Sequence, residues 1–283
     1  MEMTTIGLIV LGVLVVVLLV LNLMPSSRKA RDPFDLPYAV GDEQFIRSMG
    51  VLLGPPLAHG CHAEALLNGE EIFPAMLEAI EAAQKTITFE TYIYWKGDTG
   101  HAFSQALIRK AKAGVKCHVI LDWVGSKDCD EKDVEAMEEA GIEVERYHPL
   151  KWYNLSRINE RTHRKLLVVD GRIGFTGGVG IADEWTGNGL DAKHWRDSHF
   201  QLDGPAVAHM QAAFVDNWLR TSGKLLDGPD YFPAIKDCGE MKAQVFSSSP
   251  KQGNDSVRLM YLMTIASARK SIRMCYGLSL IHI

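Results

Sequence analysis

The chain has 283 residues, 47% of them apolar, and a formal net charge of -5, so it can bury the core of one large domain or parts of two. The acidic total offers no footprint for nucleic acid. Cys61, Cys117, Cys129, Cys238 and Cys275 are scattered without C-x-x-C pairing, which speaks against a disulfide framework or a cysteine zinc site and fits a reducing compartment.

Residues 6–24 are apolar apart from glycines and Asn22, and end at Pro25. At about 1.5 Å per residue the run approaches the roughly 30 Å of a bilayer's hydrocarbon core, so it predicts one transmembrane helix. With Glu2 but no Lys or Arg ahead of it, and no small-x-small cleavage site behind it, it reads as a retained anchor rather than a signal peptide. Arg28, Lys29 and Arg31 follow directly; the positive-inside tendency then puts the remaining chain in the cytoplasm, against an anionic leaflet. Pro25, Pro33 and Pro37 mark residues 25–60 as juxtamembrane linker and lead-in.

Helical spacing of Ile72, Met76, Ala79, Ile80 and Ala83 gives way to a β-rich segment over 86–94. A helix over 102–113 ended by Gly114, a strand over 115–124, a short acidic helix over 133–140 and a strand over 142–147 follow. Leu166, Leu167, Val168 and Val169 form a buried run, joined by the tight Asp170-Gly171 turn to a strand over 173–176. A strand over 195–202 closed by Gly204-Pro205, an amphipathic helix over 207–219 and a strand opening at 241 complete an α/β layered pattern. Residues 264–272 repeat 79–87, with Ile80/Ile265, Lys85/Lys270 and Ile87/Ile272 in register. That predicts an internal duplication, with a first unit over 61–235 and the start of a second over 240–277. Residues 278–283 continue neither pattern and read as a foreign tail.

The chemistry concentrates at His163 and Lys165. Two residues apart in an extended chain, they project to one side, which sets a neutral-pH nucleophile beside a fixed cation at the end of a core strand. That pairing suits attack on a phosphodiester. Glu90 is a carboxylate among aromatic residues in a β segment, an unusual placement that makes it a candidate to line the cleft.

The spacing His163-x-Lys165-x-x-x-x-Asp170, followed by Gly177-Gly178, resembles the phospholipase D superfamily. The block 177–185, the block Trp195-Arg196-Asp197 leading to Gly204-Pro205, and the apolar N-terminal run make the chain similar to bacterial cardiolipin synthases of the phospholipase D type over residues 40–277. One position departs from that pattern: Gly180 stands where the family usually has asparagine. The resemblance implies an α/β phospholipase D-like layered fold, a mixed β-sheet flanked by helices, with a complete first repeat and a second one cut short.

The same resemblance implies His163 as the nucleophile that forms a phosphohistidine, Lys165 as the cation facing the non-bridging phosphate oxygens, and Asp170 as a supporting carboxylate. Gly177, Gly178 and Glu90 become substrate-binding positions, and Trp152 and Tyr153 candidates to seat a lipid chain. The implied reaction moves a phosphatidyl group between phosphatidylglycerol molecules at a bacterial inner membrane, with no metal or other cofactor and no nucleic acid. A second such motif is expected to face the first as general acid. His194, His199 and His209 do not supply it, because none has Lys two residues later. The chain is therefore expected to lack turnover unless two copies pair as a homodimer. A phospholipase D hydrolase, a related nuclease and a non-catalytic membrane-bound fragment are the rival readings; the anchor favours lipid over nucleic acid.

Overall fold

The computed structural model describes residues 2–23, 36–149, 161–247 and 256–274. Arg28, Lys29, Arg31, Trp152, Tyr153 and the tail over 278–283 lie outside them. Helix α1 (Glu2–Leu23) comes first, and its described side chains, residues 5–19, are exposed all round. Among the described residues no helix is long and apolar enough to cross a membrane.

The remaining elements follow in chain order as α2 (Glu43–Leu52), β1 (Ala58–Leu67), α3 (Asn68–Ala82), β2 (Thr86–Thr91), α4 (Asp98–Lys112), β3 (Lys116–Asp122), α5 (Glu131–Glu139), β4 (Glu143–Tyr147), β5 (Leu166–Val169), β6 (Ile173–Gly177), β7 (Ser198–Asp203), α6 (Val207–Ser222), β8 (Met241–Ala243) and α7 (Ser256–Ala266). Among the described residues eight strands form one sheet in the order β4-β3-β2-β5-β6-β7-β1-β8. Strands β2, β3 and β4 run parallel, linked by α4 and α5 as crossovers, and the other pairings are antiparallel.

Alternation along β5 feeds two cores. Leu167 and Val169 pack with Ile72, Phe73, Met76 and Phe103 of α3 and α4. Leu166 and Val168 pack with Met210, Phe214 and Trp218 of α6. The sheet is thus covered on both faces, as the layered pattern predicts.

Within the segment 25–60 the described residues hold α2 and the start of β1. β1 reads Ala-His-Gly-Cys-His-Ala-Glu-Ala-Leu-Leu, without β-branched residues; its extended form follows from pairing with β7, His62 opposite Asp203 through Leu67 opposite Ser198. β8, where the second unit is expected to open, pairs with β1 at the edge of the sheet. Of the repeat, the helix end at Ala266 recurs, but the described residues 267–274 hold no strand, and Ile272 is 52% exposed where its counterpart Ile87 is fully buried.

Candidate active site

The C-terminal ends of β2, β3 and β6 and the N-terminal ends of β5 and β7 meet at one rim of the sheet, and the motif lies there. Residues 161–165 precede β5 rather than belonging to it, yet their side chains still alternate. Thr162 is 4% exposed, and Arg164 turns toward α6, where Nη1 donates to the Ala213 carbonyl at 2.6 Å and Nη2 lies 3.5 Å from an Asp216 carboxylate oxygen. His163 and Lys165 take the opposite face. The Lys165 Nζ lies 3.1 Å from His163 Nδ1, 3.2 Å from Nε2, and 3.1 Å from the His163 carbonyl oxygen.

An amine nearly equidistant from both ring nitrogens at that range sits over the ring face, because in the ring plane it would collide with Cε1. Both in-plane lone-pair directions therefore stay clear of the lysine. Tyr92 completes the group: its ring centroid is 4.9 Å from that of His163, tilted by 46°, and 5.6 Å from Lys165 Nζ.

Burial sets the protonation states. Lys165 is 8% exposed, and desolvation pulls its ammonium down to about 8, with Asp197 opposing the shift. The exposed His163 ring is held below its ordinary value by desolvation first and by Lys165 second, against the pull of Asp122. At neutral pH this leaves a free imidazole beside a mostly charged amine.

The double glycine has a packing reason. A Cβ on Gly177 would lie 2.5 Å from His199 Cα and Nδ1, and one on Gly178 would collide with the Asp197 carboxylate. The two glycines let the start of β7 close beneath the motif. Asp197 accepts from the Ser198 N–H at 2.8 Å and the Trp185 Nε1–H at 3.1 Å. His199 is 1% exposed, neither ring nitrogen has a hydrogen-bond partner among the described residues, and burial pushes it down to about 4. At Gly180 an added Cβ would stand 2.7 Å from Ile93 Cβ, so an asparagine does not fit there without a backbone shift.

Two expected site residues act elsewhere. Asp170, at φ +53°, accepts the N–H groups of Gln84, Lys85 and Thr86 at 2.8, 2.7 and 2.9 Å. It lies seven residues along an extended chain from His163, roughly 20 Å away, so it ties the α3–β2 turn to the hairpin instead of touching that histidine. Glu90 is 0% exposed and lines no open cleft. Its carboxyl accepts from the Thr162 hydroxyl and from Asn217 Nδ2 at 2.6 Å. Desolvation raises it to about 6. Tyr92, Asp122, Thr162 and Asn217 are site neighbours the sequence reading does not single out, and Asp197 enters it only within the block Trp195-Arg196-Asp197; of the four, Asp122, a carboxylate closing an apolar strand, carries a local signal.

Residues 76–218 match the family described as cardiolipin synthase, PLD-like domain. Over 229 residues the chain is 36% identical to cardiolipin synthase 1 of Bacillus anthracis, covering 77% of this chain and 45% of that protein. Over 252 residues it is 32% identical to the cardiolipin synthase of Geobacillus kaustophilus (strain HTA426), covering 88% and 48%. Among solved structures, phosphatidylserine synthase of Haemophilus influenzae Rd KW20 aligns with a TM-score of 0.46 at 15% identity, over 75% of this chain and 46% of that one. The chain spans about half the length of the curated relatives it matches.

The mixed sheet with helices on both faces is an α/β domain of the phospholipase D-like kind. More narrowly, the chain belongs to the family of the PLD-like domain of cardiolipin synthase.

Proposed function

We propose that the chain is a phosphatidyltransferase module of the cardiolipin synthase type, held at a bacterial inner membrane by α1 with its α/β domain in the cytoplasm. One observation carries the reading: an exposed imidazole and a buried amine converge to 3.1 Å at the rim of the sheet. An unprotonated His163 nitrogen attacks the phosphorus of one phosphatidylglycerol. A P–N bond forms as the P–O bond to the headgroup glycerol breaks, and the alcohol leaves with a proton from a general acid. Lys165 opposes the charge on the non-bridging oxygens throughout. The hydroxyl of a second phosphatidylglycerol then attacks the phosphohistidine, giving its proton to the group that protonated the leaving glycerol; the P–N bond breaks, freeing the imidazole and giving cardiolipin.

His163 is too weakly basic to arrive carrying the leaving-group proton, so the acid is a second group facing it. A second copy of the motif, from a paired chain, has the required chemistry. The 32–36% identity to cardiolipin synthases supports transfer between lipids as the outcome.

The test is to incubate the full chain in phosphatidylglycerol vesicles with substrate labelled in the phosphatidyl group, quench in base to preserve a P–N bond, and map the label. The label is expected on His163, with none in His163→Ala, and cardiolipin as product. Label that persists without His163 overturns the nucleophile assignment. Phosphatidic acid in place of cardiolipin identifies a hydrolase, and cleavage of single-stranded DNA a nuclease.

A further inference from the structure

His163 is exposed, with Lys165 and Tyr92 against its ring, and the residue before it is held by side chains from two strands and a helix. The Thr162 N–H donates to Asp122 Oδ2 at 2.9 Å, and its hydroxyl donates to Glu90 Oε1. Asn217 Nδ2, from α6, reaches Glu90 Oε1 at 2.6 Å and Thr162 Oγ1 at 3.3 Å. Glu90 and Asp122 are 0% exposed, Thr162 and Asn217 4%. Two buried carboxylates from neighbouring strands are costly groups to desolvate, and both are turned on one threonine.

We propose that Thr162, gripped by Glu90, Asp122 and Asn217, is a positioning residue that sets the His163 imidazole over Lys165 for attack. Arg164 anchors the other side of His163 to α6 through the Ala213 carbonyl, so the backbone on both sides of the ring is fixed while the ring itself remains free to react. Asp122 Oδ1 also accepts the N–H groups of Val124 and Gly125 at 2.9 and 3.0 Å. The loop carrying Trp123, 39% exposed, is thereby tied to the same carboxylate that holds the nucleophile's neighbour. The catalytic part of this inference rests on the phosphatidyltransferase reading; its geometric part does not.

Thr162→Val removes the hydroxyl and keeps the shape, and Thr162→Ser restores it. In the full chain with phosphatidylglycerol vesicles, the rate of His163 labelling is expected to fall roughly 10- to 100-fold in Thr162→Val. Half-saturation by lipid should stay within about twofold and the serine variant should recover most of the rate, a split that loss of folded protein would not produce. A second readout needs no turnover: in the 15N-labelled protein, the His163 ring resonances should shift or broaden in Thr162→Val. Those of His118, buried against Trp218 with ring centroids 4.9 Å apart, should not.

A wild-type labelling rate, or unmoved His163 resonances, in folded Thr162→Val overturns the proposal. If His118 is lost as well, the variant has unfolded, and Asn217→Ala, which removes one donor only, replaces it; a rate and a His163 spectrum both unchanged there overturn the proposal equally. Persistence of label in His163→Ala instead sinks the phosphatidyltransferase reading, and the resonance measurement then judges the clamp alone.

Discussion

At one end of β5 two polar side chains share a face and meet each other: His163 is exposed, with the buried Lys165 amine against its ring. At the other end Asp170 turns inward and takes three backbone N–H groups from the α3–β2 turn. Both ends belong to one motif in the sequence, but the first gathers an imidazole and an amine at the rim, while the second ties backbone to backbone. The four apolar residues between them, buried on both faces, keep the two from interacting directly.

That division is sharpest in mutants of the two ends. His163→Ala should lower labelling by phosphatidylglycerol more than about 1,000-fold while leaving the melting temperature within a degree or so of the parent. Asp170→Ala should do the reverse. It removes the acceptor of three backbone N–H groups in a partly exposed turn and is expected to cost about 1–3 kcal/mol, with turnover per folded molecule changed far less. A hundredfold loss of turnover in Asp170→Ala at unchanged stability would erase the distinction.

A subtler contrast lies beneath the rim. Glu90 has a folded value of about 6 against an ordinary 4.5, so its ionisation opposes folding. Its contribution is fully present below about pH 4.5 and is lost as pH rises through 6, a change of about 2 kcal/mol. Glu90→Gln is therefore expected to gain on the parent between pH 4.5 and 8 in denaturant titrations; a constant difference across that range would show that the carboxyl does not titrate there. The smallest effect is on the rate profile. Turnover should rise through a limb set by His163, below its usual 6.5, and fall through one near pH 8 as Lys165 loses its proton, about tenfold per pH unit beyond each. Lys165→Arg keeps the charge and should remove the alkaline limb; if that limb survives, another group sets it.

The same two ends show what could be read in advance. The β5–β6 hairpin was legible because a buried apolar run, Asp170-Gly171 and a second run are neighbours in sequence, and Val169 does pair with Ile173. The pairing of His163 with Lys165 was legible because spacing by two fixes a common side. The placement of Asp170 was not, since its partners at 84–86 are a long loop closure away. Thr162, Glu90 and Asn217 likewise come together only through the order β3-β2-β5 and the packing of α6, which no local pattern encodes. His199 was set aside for lacking a lysine two residues on, yet register places it opposite Gly177, close enough for Lys165 to shift its titration.

The alternation that runs from Thr162 into β5 has a consequence for insertions and deletions. Inserting a single residue between Lys165 and Leu166 would exchange the two layers, sending the imidazole under α6 and the threonine hydroxyl out to water, and the arrangement of His163 over Lys165 would be lost though every residue of the motif survived. A two-residue change would preserve the facing and slide the reactive pair by about 7 Å along the strand. The frame of this segment therefore tolerates length changes only in even steps, and an even step already carries the pair away from Tyr92 and Asp197.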